Sequence, residues 1–250
     1  MNNISNVVLV HGWSMHSGMW GPFVDLLGES HRITCLDLPG HGHAPMVEDF
    51  NLGSISEVLL GAAPERACWI GWSLGASVVM HIARFFPHRV KSMALLAGNA
   101  KFVADDEWPS GMDLTVLHRF AKNLIEDNRG AVLRFLSLQT QASPTSKQLL
   151  KELRKRLDSR NAPLESALLG GLSILENADS REVLRNLQCP VLLLFGELDT
   201  LVPVDAGTAM KELCPAANLH VVKGAGHMPF YTHASETASI FNRFLTEHCV

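Results

Sequence analysis

Short apolar runs alternate with helical stretches over the first 98 residues of the chain. The strand-like runs, which are largely apolar, are residues 7–10, 33–38, 67–70 and 92–97. The helix-like stretches between them are residues 20–27, 54–62 and 76–83. Apolar runs of this kind are typical of strands covered on both faces, and steady alternation of strand and helix predicts a parallel sheet between two layers of helices.

The alternation stops after residue 98 and resumes near residue 188. Between these points helical stretches follow one another, at residues 114–124, 131–138, 146–160 and 164–175. Strands return at residues 190–195 and 219–222, and a last helix covers residues 234–245. We therefore expect an α/β core domain made of residues 1–98 and 188–250, into which residues 99–187 are inserted as a helical cap.

The sequence Gly-Trp-Ser-Leu-Gly at residues 71–75 joins an apolar strand to a helix. A Gly-x-Ser-x-Gly turn in this context is typical of a nucleophile elbow, in which the serine hydroxyl projects from a strained backbone. The glycines on both sides of Ser73 keep side chains out of the tight crossing of strand and helix. The motif also occurs by chance in ordinary loops, so the flanking strand and helix are what favour the catalytic interpretation.

Four residues that follow predicted strands are candidates for chemistry: Trp13, Ser73, Asp199 and His227. Ligands of open parallel sheets bind beyond the carboxyl ends of the strands, so these residues are expected at one edge of the sheet. The chain order Ser…Asp…His is the one that the nucleophile-elbow architecture uses. An imidazole can take the serine proton, and a carboxylate on its other nitrogen stabilises the resulting imidazolium. We therefore expect a catalytic triad of Ser73, His227 and Asp199.

Other acids and histidines compete for two of these positions. The rivals are Glu197, Asp205, His220 and His233. Asp199 is favoured because it lies at a strand exit, in a loop that Pro203 limits. His227 is favoured because it alone lies in a glycine-rich turn directly after a strand, whereas His220 falls inside the strand itself.

Two backbone N–H groups are candidates for an oxyanion hole. Trp13 follows a strand that ends at a His-Gly pair, and Leu74 begins the helix after the elbow. N–H groups at such positions point toward the place where a substrate oxygen becomes negative. The Trp13 side chain could equally serve only in packing.

The overall composition narrows the classes of function. A formal net charge of −4 over 250 residues argues against a nucleic-acid binder, and no run reaches the roughly 18 apolar residues that a membrane helix needs. The pair His41 and His43 has no third or fourth ligand beside it, so neither a metal nor a cofactor is expected. Five cysteines without a C-x-x-C pair are typical of buried thiols in a reducing compartment. We expect a cytoplasmic monomer.

These motifs resemble the α/β-hydrolase superfamily over nearly the whole chain. The resemblance rests on the His-Gly-Trp run at 11–13, the elbow at 71–75, the Gly-x-x-Asp at 196–199 and the Gly-His-x-Pro-Phe at 226–230. Within the superfamily, the elbow together with residues 106–109 and 134–140 resembles the BioH family of carboxylesterases. The resemblance implies a serine esterase of biotin biosynthesis, which hydrolyses the methyl ester of pimeloyl-acyl-carrier protein through an acyl-enzyme and releases methanol.

The same resemblance implies a set of substrate-binding residues. They are Trp13, Ser73, Leu74, Phe135, Leu136, Ser137, Leu138, Gln139 and His227. It also implies an acyl-carrier protein as the partner that delivers the acyl chain.

The predicted helix 146–160 carries six of the 21 Lys and Arg residues of the chain. Four of these cations fall within an arc of roughly 100°, next to an arc of leucines, so that one face packs and the neighbouring face is basic. A solvated surface, partly neutralised by Glu152 and Asp158, is the simpler interpretation. Because the expected partner is acidic, we hypothesise instead a docking surface. It consists of Lys147, Lys151, Arg154 and Lys155, with Arg134 near the pocket.

Two other functions stay open at this point. A different serine hydrolase, such as a short-chain esterase, a lactonase or a thioesterase, would share the fold and the triad. A ligand-binding receptor that keeps the triad but works through partner binding is the more distant alternative. A haloalkane dehalogenase is disfavoured, because Ser73 stands where that chemistry needs a carboxylate.

Overall fold

The computed structural model describes residues 4–28, 31–140 and 146–248. Within these residues six strands form one parallel sheet: β1 (Asn6–Val10), β2 (Arg32–Leu36), β3 (Ala67–Trp72), β4 (Val90–Leu96), β5 (Val191–Gly196) and β6 (Asn218–Val222). The helices are α1 (Pro22–Gly28), α2 (Leu52–Ala62), α3 (Leu74–Phe85), α4 (Leu114–Glu126), α5 (Asn128–Thr140), α6 (Ser146–Leu157), α7 (Glu165–Asn177), α8 (Arg181–Arg185), α9 (Val204–Leu213), α10 (Pro229–Thr232) and α11 (Ala234–His248). Each predicted strand is confirmed to within two residues at either end.

The strand order is β2-β1-β3-β4-β5-β6, so the chain reverses its direction across the sheet after β2. Right-handed crossovers then place α1 on one face and α3 and α9 on the other, and α11 packs against α1. Both faces are therefore covered, which explains why β1, β3 and β5 are apolar and buried along almost their whole length. The fold is the predicted α/β architecture with a mostly parallel central sheet.

The reversal of strand order determines where a ligand can bind. Strands β1 and β3 are neighbours, with Val10 paired to Gly71, and the chain leaves them toward opposite sides of the sheet. The carboxyl ends of two such strands open a crevice, which is where ligands bind in open α/β sheets. The turn after β1 and the elbow after β3 therefore face each other across this crevice.

The described residues between β4 and β5 contain helices α4 to α8 and three isolated bridges, but no strand of the sheet. Helix α4 packs on α5 and α7, and α5 packs on α6. Helix α8 lies against α3 and α9 of the sheet layers. We refer to the segment with α4 to α7 as the cap; that residues 99–187 form a subdomain of their own stays a prediction.

Helix α6 is shorter than predicted, and its carboxyl end is tied to the core. The helix ends at Leu157 rather than residue 160. Beyond it Arg160 reaches back to the core, where Nη1 lies 2.9 Å from Asp37 Oδ2. His16 Nε2 lies 3.1 Å from the Arg156 carbonyl, and the Arg156 Nε donates to the Tyr231 hydroxyl at 3.0 Å. The end of the helix is thus bound to core residues, and these contacts cannot be read from its hydrophobic periodicity.

The cysteines correct one expectation. Cys35, Cys189 and Cys214 carry free thiols, and burial raises the pKa of Cys35 and Cys189 to about 11. Cys68, however, is disulfide-bonded. The expectation of a buried thiol at Cys68 was therefore wrong, because a disulfide joins residues by their position in the fold and not by sequence spacing; Cys249 lies outside the described residues.

The described helices were also compared with the length and hydropathy that a membrane span requires. None of those in residues 4–28, 31–140 and 146–248 meets both requirements.

Candidate active site

The turn between β3 and α3 holds Ser73 in a strained conformation. Its backbone has φ 55° and ψ −118°, a conformation that residues other than glycine rarely adopt. A Cβ atom at Gly71 would lie 2.3 Å from the Gly75 carbonyl oxygen, and one at Gly75 would lie 2.3 Å from the Val10 carbonyl oxygen. Only glycine fits at either position, so the close packing of β1, β3 and α3 holds the turn in this form.

His227 and Asp199 form a buried pair beyond the ends of β5 and β6. The His227 Nδ1 atom lies 2.7 Å from Asp199 Oδ2, and both side chains are almost fully buried. The other carboxylate oxygen, Oδ1, accepts from the backbone N–H groups of Leu201 at 2.8 Å and Val202 at 3.1 Å. With Oδ2 as its acceptor, Nδ1 carries the proton, and Nε2 is left as the basic nitrogen.

Ser73 and His227 are brought together through a neighbouring tryptophan. The Trp72 Nε1 atom donates to the His227 carbonyl oxygen at 3.0 Å, and the two rings lie 5.8 Å apart. Within the described residues, Nε2 of His227 has no hydrogen-bond partner, and the Ser73 hydroxyl does not bond to it. Catalytic hydrogen bonds are often long in unliganded enzymes and tighten when substrate binds. The His227 ring is therefore held beside the elbow with Nε2 free, and the hydrogen bond from Ser73 to Nε2 is not formed.

The two candidate N–H donors lie on either side of Ser73. Leu74 is the first residue of α3, so its N–H has no partner inside the helix. A Cβ atom built at Gly12 would lie 3.1 Å from the Ser73 Cβ, which places the Gly12–Trp13 turn directly against the elbow. Among the described residues neither the Trp13 nor the Leu74 N–H has a hydrogen-bond partner. Two backbone N–H groups without partners thus lie in the elbow and in the turn packed against it; that they form an oxyanion hole stays a prediction.

Sequence reasoning missed that His11 holds the turn carrying Trp13. Its Nε2 accepts from the Leu38 N–H at 2.9 Å, so Nδ1 carries the proton and donates to the Gly12 carbonyl at 2.8 Å. Burial, and then the neighbouring His41, lowers the pKa of His11 to about 3. The ring is therefore neutral at physiological pH. The position of His11 between a strand and a glycine was the signal in the sequence, but this position does not reveal the contact with Leu38.

The histidines at 41 and 43 do not share a site. The His41 ring lies 5.3 Å from the His11 ring, and its Nδ1 lies 2.9 Å from the Pro39 carbonyl. Burial lowers the pKa of His41 to about 4. His43 instead uses its backbone N–H to bond Asp37. Within the described residues no group of three or more His, Cys, Asp or Glu side chains could hold a metal ion.

Two openings border the site, and they divide the residues that the resemblance implied. An apolar pocket of about 230 Å³ is lined by Trp13, Phe135 and Leu138, together with side chains of α4 and α7. An open cleft of about 440 Å³ is lined by Leu138, Gln139, Asp199 and His227. A still larger groove, of about 830 Å³, lies at the opposite edge of the sheet and contains none of these residues.

Four of the implied substrate-binding residues do not line either opening. Leu136 is fully buried inside the cap, and Ser137, the next residue of α5, is half-buried. The implied substrate contacts of these two residues stay a prediction. Ser73, 8% exposed, and Leu74, fully buried, lie at the elbow and not in either pocket wall.

The basic residues of the cap divide into two groups. Lys147, Lys151, Arg154 and Lys155 are exposed on α6, while Leu149, Leu153 and Leu157 of the same helix are buried. Arg134 is exposed on α5 and forms an ion pair with Asp127 at 3.4 Å. Arg156 and Arg160 turn to the core instead. Among the described residues Glu152 and Asp158 form no ion pair with these four cations: Asp158 pairs with Arg129, and Glu152 accepts from Gln148.

Comparisons with known proteins agree with this geometry. The family model for the alpha/beta hydrolase fold matches residues 6–234. A pimeloyl-[acyl-carrier protein] methyl ester esterase of Methylococcus capsulatus is 44% identical over 96% of this chain and 94% of its own length. The enzyme of the same name from Aliivibrio salmonicida is 36% identical over 96% of this chain and 92% of its own length.

A solved structure agrees in fold alone. A bromoperoxidase from Bacillus anthracis matches with a TM-score of 0.87 at 20% identity, covering 97% of this chain and 92% of that one. Its low identity carries no information on the substrate, whereas the relatives above share both length and sequence with this chain. The chain therefore belongs to the α/β-hydrolase family and, within it, to the family of pimeloyl-[acyl-carrier protein] methyl ester esterases.

Proposed function

We propose that this chain is a serine esterase that hydrolyses the methyl ester of pimeloyl-acyl-carrier protein. The relatives of 36–44% identity carry that activity in their names. The observation that carries the proposal is the buried His227–Asp199 pair, with a 2.7 Å bond on Nδ1 and a free Nε2 beside the elbow serine. We assign Ser73 as nucleophile, His227 as general base and acid, and Asp199 as the residue that orients His227.

In the first half of the reaction, Ser73 Oγ bonds to the ester carbonyl carbon while its proton passes to His227 Nε2. The negative carbonyl oxygen is held by the N–H groups of Trp13 and Leu74, for which one such donor is worth about 3 kcal/mol in other enzymes. When the intermediate collapses, the bond to the methoxy oxygen breaks and His227 returns the proton. Methanol leaves, and the pimeloyl chain stays on Ser73 as an acyl-enzyme.

The second half repeats these steps with water. His227 takes a proton from water, whose oxygen bonds to the acyl carbon, and the same two N–H groups hold the oxyanion. The Ser73–acyl bond then breaks, and the protonated His227 returns a proton to Ser73 Oγ. The product is the free distal carboxylate of the carrier-bound chain.

We propose that the apolar pocket receives the methylene chain. Its walls include Trp13, Phe120 and Phe135, whose rings contact each other at centroid distances of 5.0–5.7 Å. Such a wall favours methylene groups over water, with about 0.8 kcal/mol for each one buried. The open cleft beside Gln139 and His227 would then leave space for the arm that joins the chain to its carrier.

We also propose that the exposed cations of α6 dock the carrier protein. Lys147, Lys151, Arg154 and Lys155 lie on one exposed side of a helix that contacts α5, which carries the pocket residues. No ion pair engages them among the described residues. Complementary charge raises the rate of encounter more than the intrinsic affinity, so this surface would act mainly through kcat/KM. The cytoplasmic location and the monomeric state stay predictions.

The test is incubation of the purified protein with pimeloyl-acyl-carrier protein methyl ester, with mass detection of the demethylated product. We expect turnover of this substrate with a kcat/KM well above that for carrier-free methyl esters, lactones and thioesters. Equal or faster turnover of a lactone or thioester would point instead to another hydrolase of the same fold. A single slow turnover with retained acyl group would favour the receptor alternative.

A further inference from the structure

Two adjacent glycines interrupt the middle of the cap helix α7. Gly170 and Gly171 lie inside Glu165–Asn177, five or more residues from either end of the helix. A glycine within a helix costs about 0.8–1 kcal/mol relative to alanine, and neither residue has a positive φ that would require it. Their presence therefore needs an explanation from packing.

The two glycines face different neighbours. A Cβ atom at Gly171 would lie 2.6 Å from Cδ1 and 3.1 Å from Nε1 of Trp13, and 3.2 Å from Cδ2 of Leu74. A Cβ atom at Gly170 would lie 2.5 Å from Cδ1 of Phe50. Gly171 thus contacts the side chains of both residues that we assign to the oxyanion hole, whereas Gly170 contacts neither.

The Trp13 side chain contacts three helices of the cap. Its Nε1 donates to the Leu168 carbonyl of α7 at 2.8 Å. Its ring meets Phe120 of α4 and Phe135 of α5 edge to face, at 5.2 and 5.0 Å. The side chain is 1% exposed, and its packing against these helices limits its movement.

We infer that Gly171 is a positioning residue, through which the cap helix α7 aligns the oxyanion hole by seating on Trp13 and Leu74. An oxyanion donor acts only within about 2.7–3.1 Å of the negative oxygen, so a displacement of a few tenths of an ångström weakens it. The missing side chain at 171 lets the helix approach closely enough to hold both side chains, and with them their backbone N–H groups. This inference rests on the proposed ester hydrolysis at Ser73.

The test compares Gly171→Ala with Gly170→Ala. Both changes add one methyl group to the same helix, both gain the same helix propensity, and both push on an aromatic ring. With a small soluble ester such as 4-nitrophenyl acetate, we expect Gly171→Ala to lower kcat at least about tenfold with KM within about threefold, a part of the 10²–10³ that one oxyanion donor is worth. Gly170→Ala should stay within about threefold of wild type in both constants.

A second readout separates alignment of the donors from general loosening. A trifluoromethyl ketone bonds to Ser73 Oγ, passes the serine proton to His227 and leaves an oxyanion on the former carbonyl. If Gly171 aligns the oxyanion hole, the inhibition constant of this ketone should rise in Gly171→Ala by about the factor by which kcat/KM falls. A fall in kcat without a change in that inhibition constant would overturn the inference, as would equal activity of the two alanine variants.

If Gly171→Ala does not fold, Trp13→Phe carries the test. It removes the bond to the Leu168 carbonyl and should lower kcat and weaken the ketone in parallel. Trp69→Phe is its control, because Trp69 Nε1 donates at 3.2 Å to the carbonyl of Arg89, a residue outside the cap. Equal effects of the two would overturn the inference. Failure of the proposed function is distinct, because wild-type protein would then leave pimeloyl-acyl-carrier protein methyl ester intact, whatever the alanine variants do with the small ester.

Discussion

The core and the cap contribute to the site in different ways. In the core, the groups of the proposed triad are fixed by backbone contacts: Ser73 by a turn that admits only glycine at 71 and 75, and Asp199 by the N–H groups of Leu201 and Val202. The cap packs on Trp13 and Leu74, lines the openings beside the site and carries exposed cations. The proposed reactive groups thus lie on the core, and the proposed recognition surfaces lie on the cap.

Tethering of the cap strengthens this contrast. The cap is tied to the core at the carboxyl end of α6, where Asp37 accepts from the Ser17 N–H, the His43 N–H and the Arg160 guanidinium. Hydrogen bonds from the Ser17 and His43 N–H groups hold the pKa of Asp37 at about 2, against the opposing effect of burial. The carboxylate is therefore charged at physiological pH, which keeps the tether to Arg160 in place while the exposed side of α6 stays open to solvent.

The largest expected effect is loss of the nucleophile. Ser73→Ala should lower kcat at least about a thousandfold for every ester, because the core alone performs the chemistry. Ser77→Ala, one turn along the same buried helix, is the control and should remain within about threefold. Rates are compared under saturating small ester, and residual activity of Ser73→Ala within tenfold of wild type would remove Ser73 from the mechanism.

Asp199→Asn should come next, with a loss of about a hundredfold to ten-thousandfold in kcat. The amide oxygen can keep the bonds from the Leu201 and Val202 N–H groups, but its NH₂ group cannot accept from His227 Nδ1. The wrong tautomer of His227 would then be favoured while the loop is retained. Asp205→Asn, at the first turn of α9, serves as control; if it lost as much activity, Asp199 would not be the orienting acid.

Charge reversal on α6 should affect one substrate and not the other. Lys151→Glu with Arg154→Glu is expected to lower kcat/KM for the carrier-bound ester at least about tenfold and to flatten its salt dependence, with the small ester nearly unchanged. Arg66→Glu with Arg84→Glu makes the same change of charge at the opposite edge of the sheet. Equal losses on both substrates would make α6 structural, and no loss would make it a solvated face.

The smallest expected effect is a loss of stability in acid, which two buried histidines of the core should cause. The folded-state pKa values of His11 and His41, about 3 and about 4, lie below their ordinary 6.5. Between pH 6.5 and about 4 the unfolded chain therefore takes up protons that the folded chain refuses, and each histidine lowers the free energy of unfolding by up to about 1.4 kcal/mol per pH unit. Their facing groups, Asp37 and His16, do not reverse this direction.

Urea unfolding from pH 7 to pH 5 measures this effect. We expect stability to fall with acid and His41→Asn to reduce the slope by about one proton, since an amide can still donate to the Pro39 carbonyl. Loss of the Asp37 carboxylate would begin only below about pH 4 and is separable from the histidines. Stability that is constant or rises on acidification would contradict the buried neutral state of the two rings.

Features set by neighbouring residues in the chain could be predicted from the sequence, whereas contacts between distant positions could not. The strands, the elbow and the glycine-rich turn before His227 are local patterns, and the structure has them where those patterns lie. Helix α9 was missed, because Asp205 and Gly207 weaken its helical pattern and Gly207 is needed for contact with the Phe195 ring. The tether from Arg160 to Asp37 and the seat of Gly171 on Trp13 join residues more than 120 positions apart, which no local period encodes.

The central claim is that Ser73 is the nucleophile of a core-built esterase, and labelling tests it most directly. An alkyl fluorophosphonate bonds its phosphorus to the activated serine oxygen, releases fluoride and leaves the serine proton on His227. Peptide mapping of the labelled protein is predicted to find one adduct, on Ser73, that forms slowly or not at all in Asp199→Asn. An adduct on another serine, or no adduct in a wild-type protein that hydrolyses esters, would contradict the account.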